Sequence, residues 1–139
     1  MLLLDNSAWT RLVNGDLDEE RAETVAEWIE QRQLGTCLPF ILEAGYSAQS
    51  AADYRQIMSD VAELPTVTIN ADVERLAKQT QGELAAIGHH RLSPADVMIA
   101  ACAHKTEGGV LHYDKDFDIL AEKTSLVFQS EWLAPRGSR

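Results

Sequence analysis

The chain is poor in cysteine, in basic residues and in long apolar stretches, and each shortage removes a class of protein. Its 139 residues include two cysteines, Cys37 and Cys102, with no CxxC spacing. A disulfide framework and a structural zinc site are therefore not expected, and a reducing cytoplasm is the default location. No apolar run approaches the ~20 residues that a membrane span needs. No basic segment followed by an apolar run opens the chain, so a secretory signal is not expected. The GxxxxGK[ST] and GxGxxG phosphate loops, the GxSxG elbow and the HExxH zinc motif are all missing. Twelve Lys and Arg face 22 Asp and Glu, a formal charge of −10. That balance argues against a protein that grips nucleic acid by releasing phosphate counterions. The objection weakens if the acids gather at one place and hold cations there.

What remains is ordinary globular composition, 45% hydrophobic and 24% charged, in a length that suits one domain. A chain of this size buries roughly 68% of the surface that its unfolded form exposes. Met1-Leu2-Leu3-Leu4 reads as a buried strand ended by Asp5. Ala22, Val25, Ala26 and Ile29 recur at helical spacing after Asp18, with Gly35 as the stop. Residues 36–38 form a strand candidate, and Pro39 suits the first turn of a helix over 40–49. A further helix over 53–64 stops at Pro65, and 66–69 is β-branched and strand-like. Asn70 caps a helix that ends at Gly88. Ser93-Pro94-Ala95-Asp96 opens another that reaches Gly108-Gly109. A strand over 110–113, a helix over 116–123 and a strand over 125–128 complete the pattern. Strands that alternate with helices predict an α/β fold: one three-layer domain with a central parallel sheet flanked by helices. The domain is expected over 1–133, with 134–139 as a small polar tail.

In such a sheet the acids acquire a common address. Asp5 and Asp114 each follow a strand, Glu43 lies early in a helix that follows one, and Asp96 and Asp116 open helices. All five positions lie on the edge where strands end and helices begin, the edge at which ligands bind in open α/β sheets. Two unit charges ~4 Å apart repel by roughly 4 kcal/mol at an effective dielectric of 20, so converging carboxylates call for a cation. Oxygen ligands favour a hard ion, Mg²⁺ or Mn²⁺, over zinc. Singly, each acid has a structural reading. Asp96 fits the third residue of a capping box with Ser93, Asp5 fits an Asx turn, and 113–118 fits an acidic loop. Glu43 resists such a reading, because it sits among Phe40, Ile41, Leu42 and Ala44. Asp16, Asp18, Glu19, Glu20 and Glu23 read as a solvated helix start. His112, in an apolar strand, reads as a satisfied core histidine, and the cysteines as core filler.

The ordered set Leu2-Leu3-Leu4-Asp5-Asn6-Ser7, Leu42-Glu43, Ser93-Pro94-Ala95-Asp96 with the apolar run behind it, and Val110-Leu111-His112-Tyr113-Asp114-Lys115-Asp116-Phe117-Asp118 resembles PIN-domain proteins, above all the VapC-type toxins of bacterial toxin–antitoxin pairs. His90-Arg91 and the ending Trp132-Leu133-Ala134-Pro135-Arg136-Gly137-Ser138 look like actinobacterial members. The resemblance covers residues 2–138. It implies a Mg²⁺-dependent endoribonuclease that cuts structured RNA such as tRNA or rRNA and leaves a 5′-phosphate and a 3′-hydroxyl. The family's four acids fall on Asp5, Glu43, Asp96 and Asp114, and a further acid falls on Asp116. Asp5, Asp96, Asp114 and Asp116 would hold metal, and Glu43 would orient the attacking water. The family's small hydroxyl residue falls on Ser7, a candidate with Arg11 and Arg91 for substrate binding, and Asp118 matches a common family position. Arg11, His90, Arg91 and Arg136 are candidates for phosphate contacts, or simple surface residues. A homodimer and a cognate VapB-like antitoxin are implied as partners. Two other readings stay open: a Mg²⁺-dependent phosphatase or phospho-acceptor domain, for which position 7 is Ser where the phosphatase needs Asp, and a non-catalytic PIN-like binding module.

Overall fold

A computed structural model describes residues 1–89 and 91–137. The described residues form four parallel strands in one sheet: β1 (Leu2–Leu4), β2 (Leu34–Gly35), β3 (Gly109–His112) and β4 (Gln129–Trp132), in the spatial order β2-β1-β3-β4. Around it lie seven helices: α1 (Asn6–Val13), α2 (Glu19–Glu30), α3 (Leu38–Tyr46), α4 (Ala51–Val61), α5 (Ala71–Ala86), α6 (Pro94–Lys105) and α7 (Asp116–Lys123). The architecture is the expected three-layer α/β/α arrangement. No described helix is long and apolar enough to cross a membrane.

The chain leaves β1 for β2 on one side and later returns to place β3 on the other. The strand order therefore reverses beside β1, and a crevice opens between the carboxyl ends of β1 and β3. The central strands are apolar without alternation: Leu2, Leu3, Leu4, Val110 and Leu111 are all buried, as strands covered on both faces require. α6 packs on β1 and β3. Val97 and Ile99–Ala103 are buried almost all round, so α6 is a core helix rather than a surface one. Its small residues Ala100, Ala101, Cys102 and Ala103 let neighbouring elements come close. Gly108 and Gly109 thread the turn that follows. A side chain at Gly108 would strike the Met1 backbone, and one at Gly109 would sit 2.5 Å from the Gln129 carbonyl oxygen.

Several elements depart from the sequence expectation. α1 was not expected; Asp5 initiates it by accepting the Ser7 amide. α2 ends at Glu30, with Arg32 in the left-handed region at φ 56°, ahead of Gly35. The second strand is Leu34–Gly35 rather than 36–38, because Leu38 already begins α3. With β2 so short, 66–69 finds only Thr36 to pair with, and forms a single bridge at Thr66. The last strand is Gln129–Trp132 rather than 125–128. The Ser125, Leu126 and Val127 amides donate to Glu83, the Thr124 hydroxyl and His104 Nδ1, so none is left for a ladder. The helix over 71–86 keeps its Asn70 cap, and Gly88 follows at φ +81°. Both cysteines are buried free thiols, as expected of core filler. Their mutual hydrogen bond, aided by burial, pushes the Cys37 thiol upward.

Candidate active site

Asp5 directly follows β1 and is 4% exposed. One carboxylate oxygen, Oδ2, accepts the Ser7 amide at 3.0 Å and the Ser7 hydroxyl at 2.6 Å. The Ser7 oxygen in turn accepts the Tyr113 amide at 2.8 Å. Ser7 thus clips the end of β1 to the end of β3 and holds the Asp5 carboxylate by Oδ2; its hydroxyl proton is committed to Asp5. Asp114 stands two residues beyond β3, with Oδ1 accepting the Asp116 amide at 2.9 Å.

Asp96 enters from the first turn of α6 and is 7% exposed. Ser93 makes no side-chain cap bond, so the capping-box reading of Asp96 is not realised. Instead Asp96, Asp114 and Asp116 offer carboxylate oxygens that all lie within 4.8 Å of one another. Burial pushes the Asp96 carboxyl up to about 8, and the charges of Asp5, Asp114, Glu43 and Asp116 push in the same direction. Five acids from three helices and two strand ends therefore share one field. Glu43, half-buried on α3, is raised by burial and then by Asp5. Asp116 is raised by burial and then by Asp114, while Lys115 and His89 pull it back. His89 as a neighbour of Asp116 was not legible in the sequence, where it showed no ligand spacing.

The cationic candidates divide. Arg11, one turn beyond Ser7, lays its guanidinium 3.9 Å above the Tyr113 ring. It lines a cavity with Arg21, Trp132 and Pro135. Its buried Nε finds no hydrogen-bond partner among the described residues. Arg91 and Arg136 are exposed, and His90 lies outside the described residues. His112 is fully buried, as expected of a satisfied core histidine: Nε2 lies 2.7 Å from the Ser130 hydroxyl, and Nδ1 accepts the Asp114 amide. Burial lowers its basicity, despite Asp118 and Asp5 nearby. Asp118 faces β4, where it meets Ser130 and Trp132. That role had no local signal, because it depends on which strand lies beside β3.

Carboxylates so placed are at odds with one another unless positive charge stands among them, and an all-oxygen donor set suits a hard divalent ion. Comparison with known proteins agrees with this chemistry. The PIN domain family model matches residues 2–123. The chain belongs to the PIN-domain family. Within it, the similarity is to VapC ribonucleases. The chain is 34% identical to Ribonuclease VapC18 of Mycobacterium tuberculosis over 97% of its length and 96% of that protein. It is 33% identical to Ribonuclease VapC51 of the same organism over 70% of its length and 69% of that protein. The crystal structure of DNA-bound VapBC from Salmonella typhimurium contains a chain with the same fold. The TM-score is 0.75 at 20% identity, covering 96% of this chain and all of that one. The phosphatase and phospho-acceptor readings fall away with this membership.

Proposed function

We propose that this protein is a divalent-metal-dependent endoribonuclease and the toxin of a VapBC-type pair, with structured RNA such as tRNA or rRNA as substrate. One observation carries the reading: Asp96, Asp114 and Asp116 offer carboxylate oxygens within 4.8 Å of one another, and burial with the neighbouring acids pushes the Asp96 carboxyl upward. Asp5, Asp96, Asp114 and Asp116 would hold Mg²⁺, with Mn²⁺ as a substitute. When bound, the ion supplies positive charge for a phosphodiester oxygen and acidifies a water. Glu43 takes the water's proton: its raised basicity suits a general base, and α3 sets it beside Asp5. Ser7 holds Asp5 in place through Oδ2. Arg11, and more weakly Arg91, would contact the RNA backbone and offset the −10 charge.

The relatives' names support ribonuclease action, and the VapBC assemblies among similar structures support a VapB-like antitoxin as partner. Leu38, Leu42 and Tyr46 stand exposed at successive turns of α3, an apolar stripe on which an antitoxin segment could anchor. A homodimer is part of the same reading. Incubation of the purified protein with tRNA and rRNA tests it. Mg²⁺ should permit cleavage to 5′-phosphate and 3′-hydroxyl ends, EDTA should stop it, and Asp5→Asn should remove it with the fold intact. Cleavage by Asp5→Asn at the wild-type rate, or cleavage undiminished in EDTA, would overturn the proposal.

A further inference from the structure

Behind the acid cluster runs a chain of hydrogen bonds with a single allowed direction. Asp118, in the first turn of α7, uses both carboxylate oxygens on β4. Oδ1 accepts the Ser130 hydroxyl at 2.7 Å, and Oδ2 accepts the Trp132 indole N–H at 3.0 Å. A hydroxyl has one proton to give. Ser130 gives it to Asp118, so towards His112 Nε2, 2.7 Å away, it can only accept. Nε2 therefore carries the ring proton and Nδ1 is bare. That bare nitrogen accepts the Asp114 amide at 3.1 Å. The ring cannot turn to water, because it is fully buried. It stacks on Phe117 at 4.9 Å between centroids and meets the Trp132 ring edge-on at 5.0 Å.

We propose that Asp118 is a positioning residue: through Ser130 it selects the tautomer of His112, and His112 thereby anchors the backbone that presents Asp114 to the metal site. This rests on the reading of Asp114 as a metal ligand. The polarity of the chain makes the proposal specific. In Asp118→Asn the Trp132 N–H, able only to donate, claims the amide oxygen. The new NH₂ then donates to Ser130, whose proton turns towards His112. The ring is forced to the opposite tautomer, and its Nδ1–H meets the Asp114 N–H donor to donor. An Asp-to-Asn change behind a histidine is known to act through the wrong tautomer in this way.

The experiment combines nitrogen NMR of His112, hydrogen exchange at the Asp114 amide, and Mn²⁺ binding followed by electron paramagnetic resonance. The wild type should show a protonated Nε2 and a protected Asp114 amide. Asp118→Asn should unfold cooperatively, move the proton to Nδ1, lose that protection and bind Mn²⁺ about 10- to 100-fold more weakly, the usual cost of disturbing a ligand's support. Ser130→Ala cuts the chain at another link and should also lose the protection, so the test survives if one variant misfolds. Trp132→Phe removes a bond to Asp118 but leaves the direction of the chain unchanged. It should keep the wild-type tautomer and a Mn²⁺ affinity within about twofold. A wild-type His112 protonated at Nδ1 overturns the proposal, as does Asp118→Asn with unchanged Mn²⁺ affinity, or Trp132→Phe as weak as Asp118→Asn. Asp114→Asn separates the two readings: undiminished Mn²⁺ binding there defeats the metal-site reading, whereas the tautomer and exchange results judge the positioning on their own.

Discussion

Two groups of five acids in this molecule have opposite fates. Asp16, Asp18, Glu19, Glu20 and Glu23 fall within eight residues at the start of α2, the densest negative charge in the chain, and every one is exposed. Asp18 caps the helix by accepting the Arg21 amide, and Glu19 and Glu20 sit in its first turn, where the helix dipole favours them. Asp5, Glu43, Asp96, Asp114 and Asp116 are scattered over more than a hundred residues, yet the fold brings Asp96, Asp114 and Asp116 within 4.8 Å and sets Asp5 and Glu43 close enough for their charges to act on Asp96. There burial and mutual repulsion push the carboxyl groups of Asp96, Glu43 and Asp116 above their ordinary values, making them weaker acids. Charge density along a sequence therefore says little about charge density in space. Exposed acids are screened by water, and converging buried ones are not.

The same kind of substitution in each group separates them most sharply. Asp96→Ala should cost about 10²–10³-fold or more in RNA cleavage, while Asp18→Ala should leave the rate unchanged. Equal losses would mean that the crevice is not the active site. Glu43→Gln should come next, lowering the single-turnover rate about 10²–10⁴-fold. Titration calorimetry should show Mg²⁺ affinity close to wild type, because Glu43 acts on the water.

The pH dependence of the metal-free protein carries the contrast further. Between its ordinary value of 3.8 and about 8, the buried Asp96 keeps a proton that the unfolded chain releases. The native state then binds more protons, so the contribution of Asp96 to stability is fully present below about pH 4 and is lost as pH rises towards 8. Glu43 and Asp116, also raised, add to the fall. Thermal melts in EDTA should show a declining Tm across this window, and saturating Mg²⁺ or Asp96→Asn should flatten it. A decline of full size in Asp96→Asn would locate the effect elsewhere. The smallest effect belongs to the exposed group: Asp18→Ala should cost about 1 kcal/mol of stability through its lost cap, measured by denaturant unfolding.

Much of this was legible before the tertiary structure. Apolar Leu2-Leu3-Leu4 and Val110-Leu111 announced buried strands, Asn70 and Gly88 bracketed α5, and Pro94 marked the start of α6. The strand-then-acid pattern pointed to one edge of the sheet. The failures share a cause. Residues 125–128 have a strand-like composition, but the Ser125 and Val127 amides are taken by Glu83 and His104 from elsewhere in the chain, and the Leu126 amide by the adjacent Thr124 hydroxyl. Residues 66–69 have the β-branched residues of a strand but almost no neighbour to pair with. α1 is the exception: its cap is local, Asp5 accepting the Ser7 amide, and the Asx-turn reading of Asp5 passed over the helix behind it.

By itself, then, the sequence determined the alternation of strands and helices, the apolar faces and the residue types available for chemistry, because these depend on neighbours along the chain. Only the tertiary structure decided that β1 and β3 lie side by side, that Ser7 ties Asp5 to Tyr113, and that Asp118 reaches His112 through Ser130. Hydrogen bonds and Coulomb repulsion depend on distances of a few ångströms between residues remote in sequence, and only packing sets those distances.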